Sequence, residues 1–178
     1  MSNKSNLIFK GLNIVVWIIF VGLSIEAGGL IVNFVFSLYK PEFVENLYQK
    51  LDLSEMYSRS KLAFYSMYSF ALSVSILKAF LFYAVIKLLS KLDLAKPFSR
   101  FASSQITLIS YYTFSIGLLS YIARQTAQNL NHHGFEINAL DQFWVDSQAF
   151  ILMAAVIYVI ATIFSKGIEI QNENDLTV

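Results

Sequence analysis

Long apolar runs separated by short polar segments dominate the pattern along this chain. The first of them, Leu12–Tyr39, holds 28 residues between Lys10 and Lys40 with one charged residue, Glu26. A helix that rises 1.5 Å per residue needs about twenty apolar residues to cross roughly 30 Å of hydrocarbon. The run is therefore predicted to be a membrane-spanning helix.

Three more apolar runs complete a four-span pattern. The predicted spans cover residues 12–36, 62–87, 101–123 and 145–165. Helices are predicted for all four because lipid offers no hydrogen-bond partners to the open edges of strands, and the short alternating units of a membrane barrel are absent. The predicted fold is an all-α integral membrane four-helix bundle, one domain over residues 1–178 with a polar tail at 166–178. Ser99 or a neighbour is predicted to cap the third helix, and the fourth helix is predicted to end near Gly167.

Composition supports this class and excludes others. Hydrophobic residues make up 56% of the chain and charged residues only 14%, whereas a soluble domain carries about 25% charged residues. The net charge of +1 gives no basic face for direct nucleic-acid binding. There are no cysteines, which excludes disulfides and thiolate metal sites.

Basic residues near the spans predict the orientation. The hinge between the second and third spans carries Lys87, Lys91, Lys96 and Arg100 against a single acidic residue, Asp93. Such excess marks the cytoplasmic side, so both termini are predicted to be cytoplasmic. The first span is too long for a cleaved signal peptide and is interpreted as an uncleaved anchor.

The loop after the first span is predicted to contain a short amphipathic helix that begins at Pro41. Its apolar positions are Phe43, Val44, Leu47, Tyr48 and Leu51. Two interpretations stay open: a helix at the lipid interface or a lid over a binding site. Asp52 and Glu55 resemble a capping box that starts a helix running on into the second span.

The loop after the third span contains His132, His133 and Glu136, residue types that bind metals. Adjacent histidines in an extended loop point in different directions, so no metal or other cofactor is predicted. The aromatic residues on this side are predicted to form a belt at the lipid headgroups. They are Phe64, Tyr65, Tyr68, Phe143 and Trp144.

Two charges lie inside the predicted spans, Glu26 and Lys78. A charge at mid-bilayer costs about 2.5–3.5 kcal/mol, so it normally faces the bundle interior and finds a partner. At 1.5 Å per residue, Glu26 is about 24 Å from Lys10 and Lys78 about 20 Å from Lys91. Two hypotheses follow: an intramembrane Glu26–Lys78 ion pair, or hydrogen bonds to hydroxyls of the third span.

Small and polar residues mark the faces predicted to surround this pair. Gly22, Glu26, Gly29 and Asn33 share one face of the first span, where the glycines would let another backbone approach. The third span carries Ser103, Ser110, Gly117 and Arg124 at intervals of seven, with Thr107, Thr113 and Ser120 between them. The supporting polar seam is predicted to be Asn33, Thr107, Ser110 and Thr113.

The sequence offers little chemistry. It has no HExxH, no GxSxG, no thiol and no pair of membrane-embedded aspartates, so it is not predicted to be an enzyme. Proton pathways usually place several ionisable groups in series. A structural role for the Glu26–Lys78 pair is therefore favoured over conduction.

Several motifs resemble a family. They are Ile25-Glu26-Ala27-Gly28-Gly29, Ile76-Leu77-Lys78-Ala79, Lys96-Pro97-Phe98, Lys166-Gly167 and Gln171-Asn172-Glu173-Asn174-Asp175-Leu176-Thr177-Val178. On these residues the chain resembles the bacterial domain of unknown function 2975 (YoaS-like), with Ile170 a mild departure where leucine is commoner. The resemblance implies a four-span bacterial inner-membrane protein without assigned activity, often encoded beside a small helix-turn-helix regulator.

The resemblance also implies that the hinge between the second and third spans and the tail after the fourth span form a cytoplasmic docking surface. The residues are Lys96, Pro97, Phe98, Gln171, Glu173, Asn174 and Asp175. A regulatory or signalling protein paired with a helix-turn-helix regulator is the first hypothesis. The alternatives are a small transporter or channel using Glu26 and Lys78, and a structural or immunity-type membrane protein. A homo-oligomer stays open in each.

Overall fold

The structure is a computed structural model that describes residues 3–40, 44, 47, 52–93 and 97–175, with side chains in helices described from Leu7 to Glu173. Its helices are α1 (Asn3–Tyr39), α2 (Ser54–Arg59), α3 (Lys61–Lys91), α4 (Arg100–His132) and α5 (Ser147–Asp175), with a 3-10 helix at Asn138–Phe143. Four of these, all but α2 and the 3-10 helix, are long and apolar enough to cross a membrane. The predicted all-helical class and the four spanning helices are confirmed.

The four long helices pack in chain order. Helix α1 lies on α3, α3 on α4, and α4 on α5, while in the described part of the chain α1 and α5 share no comparable packing surface. The end of the molecule that carries the start of α1, the end of α5 and the hinge residues 92, 93 and 97–99 is called the terminal end below. The opposite end, with residues 40, 44, 47, 52–60 and 133–146, is called the loop end.

The stripe of small residues on α4 forms the tightest seam, and its partner is α5. Ser110 Oγ donates to the Ala154 carbonyl at 3.0 Å, and Ser103 Oγ to that of Ala161 at 3.4 Å. A methyl group placed on Gly117 would come within 3.2 Å of the Ile151 backbone nitrogen. The interval of seven brings these residues to one face because seven residues make two helical turns.

The main hydrophobic core lies at the loop end. Helices α2, α3 and α4 enclose it together with residues from both loops, including Val44, Leu47 and Leu140. The rest of the predicted amphipathic helix, including Pro41, Phe43, Tyr48 and Leu51, lies outside the described residues. Val44 and Leu47 themselves are buried in this core.

The predicted aromatic belt is wrong for most of its members. Phe64 and Tyr68 are fully buried, and Phe143 and Trp144 are only 2% and 7% exposed. The Tyr68 hydroxyl donates to the Leu30 carbonyl at 3.1 Å, which ties α3 to α1. These rings form a core because two loops cover them, and a large aromatic ring buries much apolar area wherever it is covered.

The helix starts follow local hydrogen bonds. Ser99 caps α4 as predicted, since its hydroxyl accepts from the Ala102 amide at 3.1 Å. The predicted capping box at Asp52 is wrong: Asp52 accepts from the Ser54 amide instead, and the chain is extended at Ser60 between α2 and α3. Hydrogen bonds from the Ser54 hydroxyl and amide hold the pKa of the exposed Asp52 carboxyl below its usual value.

The last helix is longer than predicted. The sequence suggested that it ends near Gly167, but α5 continues to Asp175. Its 29 residues correspond to about 43 Å at 1.5 Å per residue, more than a bilayer core requires. A 2.6 Å ion pair between Lys166 and Glu169 spans the glycine. Residues 166–175 therefore extend the helix at the terminal end.

The packing of Gly117 against α5 gives the first prediction. Gly117→Ala should lower the free energy of unfolding by about 1–3 kcal/mol, because the new methyl group meets the α5 backbone. Unfolding in mixed detergent micelles, followed by far-UV circular dichroism, measures it. Gly22→Ala is the matched control, since nothing lies within 4 Å of its added methyl group. Equal stability of the two variants would mean that the α4–α5 seam is looser than described.

Candidate functional site

Glu26 faces α3 and is bonded to a hydroxyl there. Ser75 Oγ donates to Glu26 Oε1 at 2.8 Å, and Ser75 is fully buried. Glu26 itself is half-buried. A hydrogen bond to a charged acceptor is stronger than a neutral one, so this contact fixes how α1 sits on α3.

Lys78 lies one turn further along α3 and bonds elsewhere. Its Nζ donates to the Phe143 carbonyl at 3.2 Å, which links α3 to the segment just before α5. Glu26 and Lys78 do not form an ion pair within 4.0 Å of each other; the ion pair that joins two described side chains at such a distance is that of Lys166 and Glu169. Each charge therefore has its own hydrogen bond, and neither the hypothesis of an ion pair nor that of hydrogen bonds to third-span hydroxyls describes these contacts.

The predicted supporting seam does not gather around Glu26. Thr107 and Thr113 donate to carbonyls of their own helix, at 2.9 and 2.8 Å. Ser110 bonds to α5, while Asn33 lies half-buried on α1. The hydroxyl that does reach Glu26, Ser75, comes from the second span. Ser75 is buried on the face of α3 that also carries the buried Ala71, and its bond to Glu26 was not predicted.

Gly22 was expected to admit a neighbouring backbone, and this expectation is wrong. No atom of a neighbouring element lies within 4 Å of a methyl group built on Gly22. Gly22 itself is exposed. A close helix approach of this kind occurs at Gly117, because small residues permit contact without specifying which helix makes it.

At the terminal end, the hinge and the last helix meet through Phe98. A methyl group on Gly167 would lie 2.6 Å from Phe98 Cδ1, so the ring rests directly on the glycine. Phe98 also packs on Phe164, with ring centroids 5.3 Å apart. Two motifs that are far apart in the sequence, Pro97-Phe98 and Lys166-Gly167, therefore form one surface.

The other residues of the predicted docking surface belong to the hinge and to the end of α5, and some of them lie outside the described residues. Pro97 and Gln171 are half-buried, and Glu173 is exposed on α5. Lys96 lies outside the described residues. Asn174 and Asp175 continue the helix, but their side chains are not among those described.

A contact between the two loops at the loop end was not predicted from the sequence. The Arg59 guanidinium donates to the carbonyls of His133 and Gly134, both at 2.6 Å, and lies 4.3 Å from the centre of the Phe135 ring. Gly134 has a φ of +79°, which favours glycine. The planar fork of arginine suits two adjacent carbonyls, so Arg59 joins the two loops.

The Glu26–Ser75 contact can be tested by a double-mutant cycle. Glu26→Ala and Ser75→Ala should show a coupling free energy of about 1.5–3 kcal/mol, the range for hydrogen bonds to charged groups. Detergent unfolding of the four proteins measures it. Glu26→Gln should lose less stability than Glu26→Ala because an acceptor oxygen is kept.

Ser73→Ala is the matched control for this cycle. Ser73 lies exposed on α3, and its hydroxyl bonds to no other described residue. It should show no coupling to Glu26. Additive effects of Glu26→Ala and Ser75→Ala would contradict the contact.

Comparison with known proteins adds a family and no function. The family model described as "Protein of unknown function (DUF2975)" matches residues 46–178. Helix α1 with Glu26 lies before the matched residues, whereas α3 and the Phe98–Gly167 contact lie within them. No curated protein and no solved structure matches the chain. The chain is a multi-pass membrane protein, and it belongs to the DUF2975 family of uncharacterised proteins.

Proposed function

We propose that the protein is a non-enzymatic regulatory protein of the bacterial inner membrane, with the terminal end in the cytoplasm as a docking surface for a helix-turn-helix regulator. The observation that carries the proposal is the Phe98 ring lying on Gly167. This contact unites the hinge with the extension of α5, the two segments that the family resemblance marks for docking.

The charge of the extension supports a DNA-binding partner. Among the side chains described beyond Lys166 on α5, the charged ones are Glu169, which pairs with Lys166, and Glu173, and both are exposed. Proteins that bind DNA carry a basic face for the phosphates. An acidic helix that extends past the membrane is complementary to such a face, and binding it would compete with DNA.

Exposed apolar area supports a protein partner as well. Ile170 lies between the two glutamates and is 59% exposed, and Phe98 is 41% exposed. An apolar centre rimmed by charges is the usual composition of a protein interface. The extension thus offers both an apolar anchor and a charged rim.

Transport through Glu26 has less support. Glu26 and Lys78 are each bonded to a protein group, and the α4 hydroxyls of the predicted polar seam bond to α5 or to their own helix rather than to Glu26. A pathway would need further ionisable groups in series. Docking is therefore the better-supported function.

Co-purification tests the proposal. The full-length chain in mild detergent should retain the regulator encoded beside it, and Glu169→Gln with Glu173→Gln should lower its recovery by about tenfold, as expected for two rim charges at 0.5–1 kcal/mol each. The matched control is Glu136→Gln with Asp141→Asn, two exposed acidic residues at the loop end.

The control should leave recovery unchanged. Undiminished recovery with the Glu169 and Glu173 changes would contradict the proposal, as would a loss seen only with the loop-end changes. Failure of the full-length chain to retain the regulator at all would also contradict it.

A further inference from the structure

A polar groove lies at the terminal end between the start of α1 and the end of α3. It has a volume of about 430 Å³, and its polar lining comes from Lys10, Asn13 and Ser90. Asn13 Nδ2 lies 3.4 Å from Ser90 Oγ, so the amide and the hydroxyl converge. Lys10 is exposed and forms no ion pair with a described side chain. The groove therefore presents an ammonium and two neutral hydrogen-bonding groups.

A second cation, Lys87, lies about one helical turn from Ser90, and its ammonium group lies over Tyr83, which lines the apolar groove described next. Lys87 is three residues before Ser90 and therefore on the same side of α3. Its Nζ lies 5.2 Å from the centre of the Tyr83 ring. Basic pockets between spanning helices bind phospholipid headgroups. The chemistry of the groove suits a phosphodiester.

An apolar groove follows along the same pair of helices toward the loop end. Its volume is about 440 Å³, and its walls include Phe20, Gly28, Ala79 and Tyr83. Nothing lies within 4 Å of a methyl group built on Gly28, so the space is open. The hydroxyl of Ser24, also in the lining, is satisfied by the Phe20 carbonyl at 2.7 Å. This groove suits a hydrocarbon chain.

The two grooves lie on one face of α1. Asn13, Trp17, Phe20, Ser24 and Gly28 follow one another at steps of three or four residues, which keeps them on one side of a helix. Asn13 and Gly28 are about 22 Å apart at 1.5 Å per residue. That length takes a molecule from the membrane surface past the midplane of a core roughly 30 Å thick.

We propose that the α1–α3 seam is a binding site for one anionic phospholipid. The phosphate lies against Lys10, Asn13 and Lys87, and one acyl chain lies in the groove beside Gly28. The occupant follows from the position of the seam: both helices span the membrane, and an anionic phospholipid supplies a phosphate at the surface and a hydrocarbon chain below it. This proposal does not depend on a docking partner.

The chain carries a natural reporter for this site. Of its two tryptophans, Trp17 lies on the face of the grooves and is 46% exposed, whereas Trp144 is buried in the loop-end core. Trp144 Nε1 has no hydrogen-bond partner among the described residues, so Trp144→Phe removes the second signal without breaking a bond. In this variant, Trp17 is the only source of tryptophan fluorescence.

Quenching of Trp17 by brominated lipids in nanodiscs tests the proposal. Brominated phosphatidylglycerol should quench more strongly than brominated phosphatidylcholine at the same mole fraction. Lys10→Gln should lower this preference by about fivefold, the effect of one cation near an anionic headgroup. Gly28→Leu fills the apolar groove and should lower quenching by the anionic lipid.

The controls separate a site from general attraction. Arg100→Gln removes an exposed cation at the same end, at the start of α4, and should leave the preference unchanged. Added inorganic phosphate should also leave it unchanged, whereas displacement by phosphate would show a site for a free anion and overturn the proposal. Equal quenching by both lipids, or equal losses in Lys10→Gln and Arg100→Gln, would overturn it too.

Discussion

The structure depends on one constraint: within the apolar spans, every polar group must find its partner inside the protein, because hydrocarbon offers none. Several hydroxyls of the long helices meet it in one of two ways, whereas the exposed Ser73 hydroxyl and the buried Gln105 Oε1 have no partner among the described residues. Some return to their own helix, as Thr113 does to the Ile109 carbonyl. Others reach a neighbour, as Ser110 does to α5 and Ser75 does to Glu26. The second kind determines which helix packs on which.

This constraint also accounts for the two charges. Glu26 is bonded to a hydroxyl and Lys78 to a carbonyl, and each bond joins two elements. A direct ion pair would have to offset the desolvation of both groups, and buried pairs often fail to do so. The charges therefore act as fixed points of packing between α1, α3 and the loop before α5.

The sequence was sufficient for the four spans, the α4 cap at Ser99 and the face that carries Ser103, Ser110 and Gly117. Periodicity identifies a face, however, and not the helix that packs on it. For this reason the small and polar residues of α4 were predicted to face Glu26, whereas Ser103, Ser110 and Gly117 pack on α5. The prediction of an aromatic belt at the loop end was wrong for a similar reason, because a belt at the headgroups and a covered core have the same composition. The extension of α5 past Gly167 was missed because the contact that supports it, with Phe98, is remote in the chain.

Packing in chain order leaves α1 and α5 at opposite edges, and disulfide cross-linking in membranes tests this arrangement most directly. The chain has no cysteines, so any disulfide formed within it joins the introduced cysteines. Cysteines at Asn13 with Ser90, and at Ser110 with Ala154, should cross-link rapidly within one chain. A pair at Val21 and Val156, exposed positions on α1 and α5, should not. Rapid cross-linking of Val21 with Val156 within one chain would mean a closed bundle and would contradict the account.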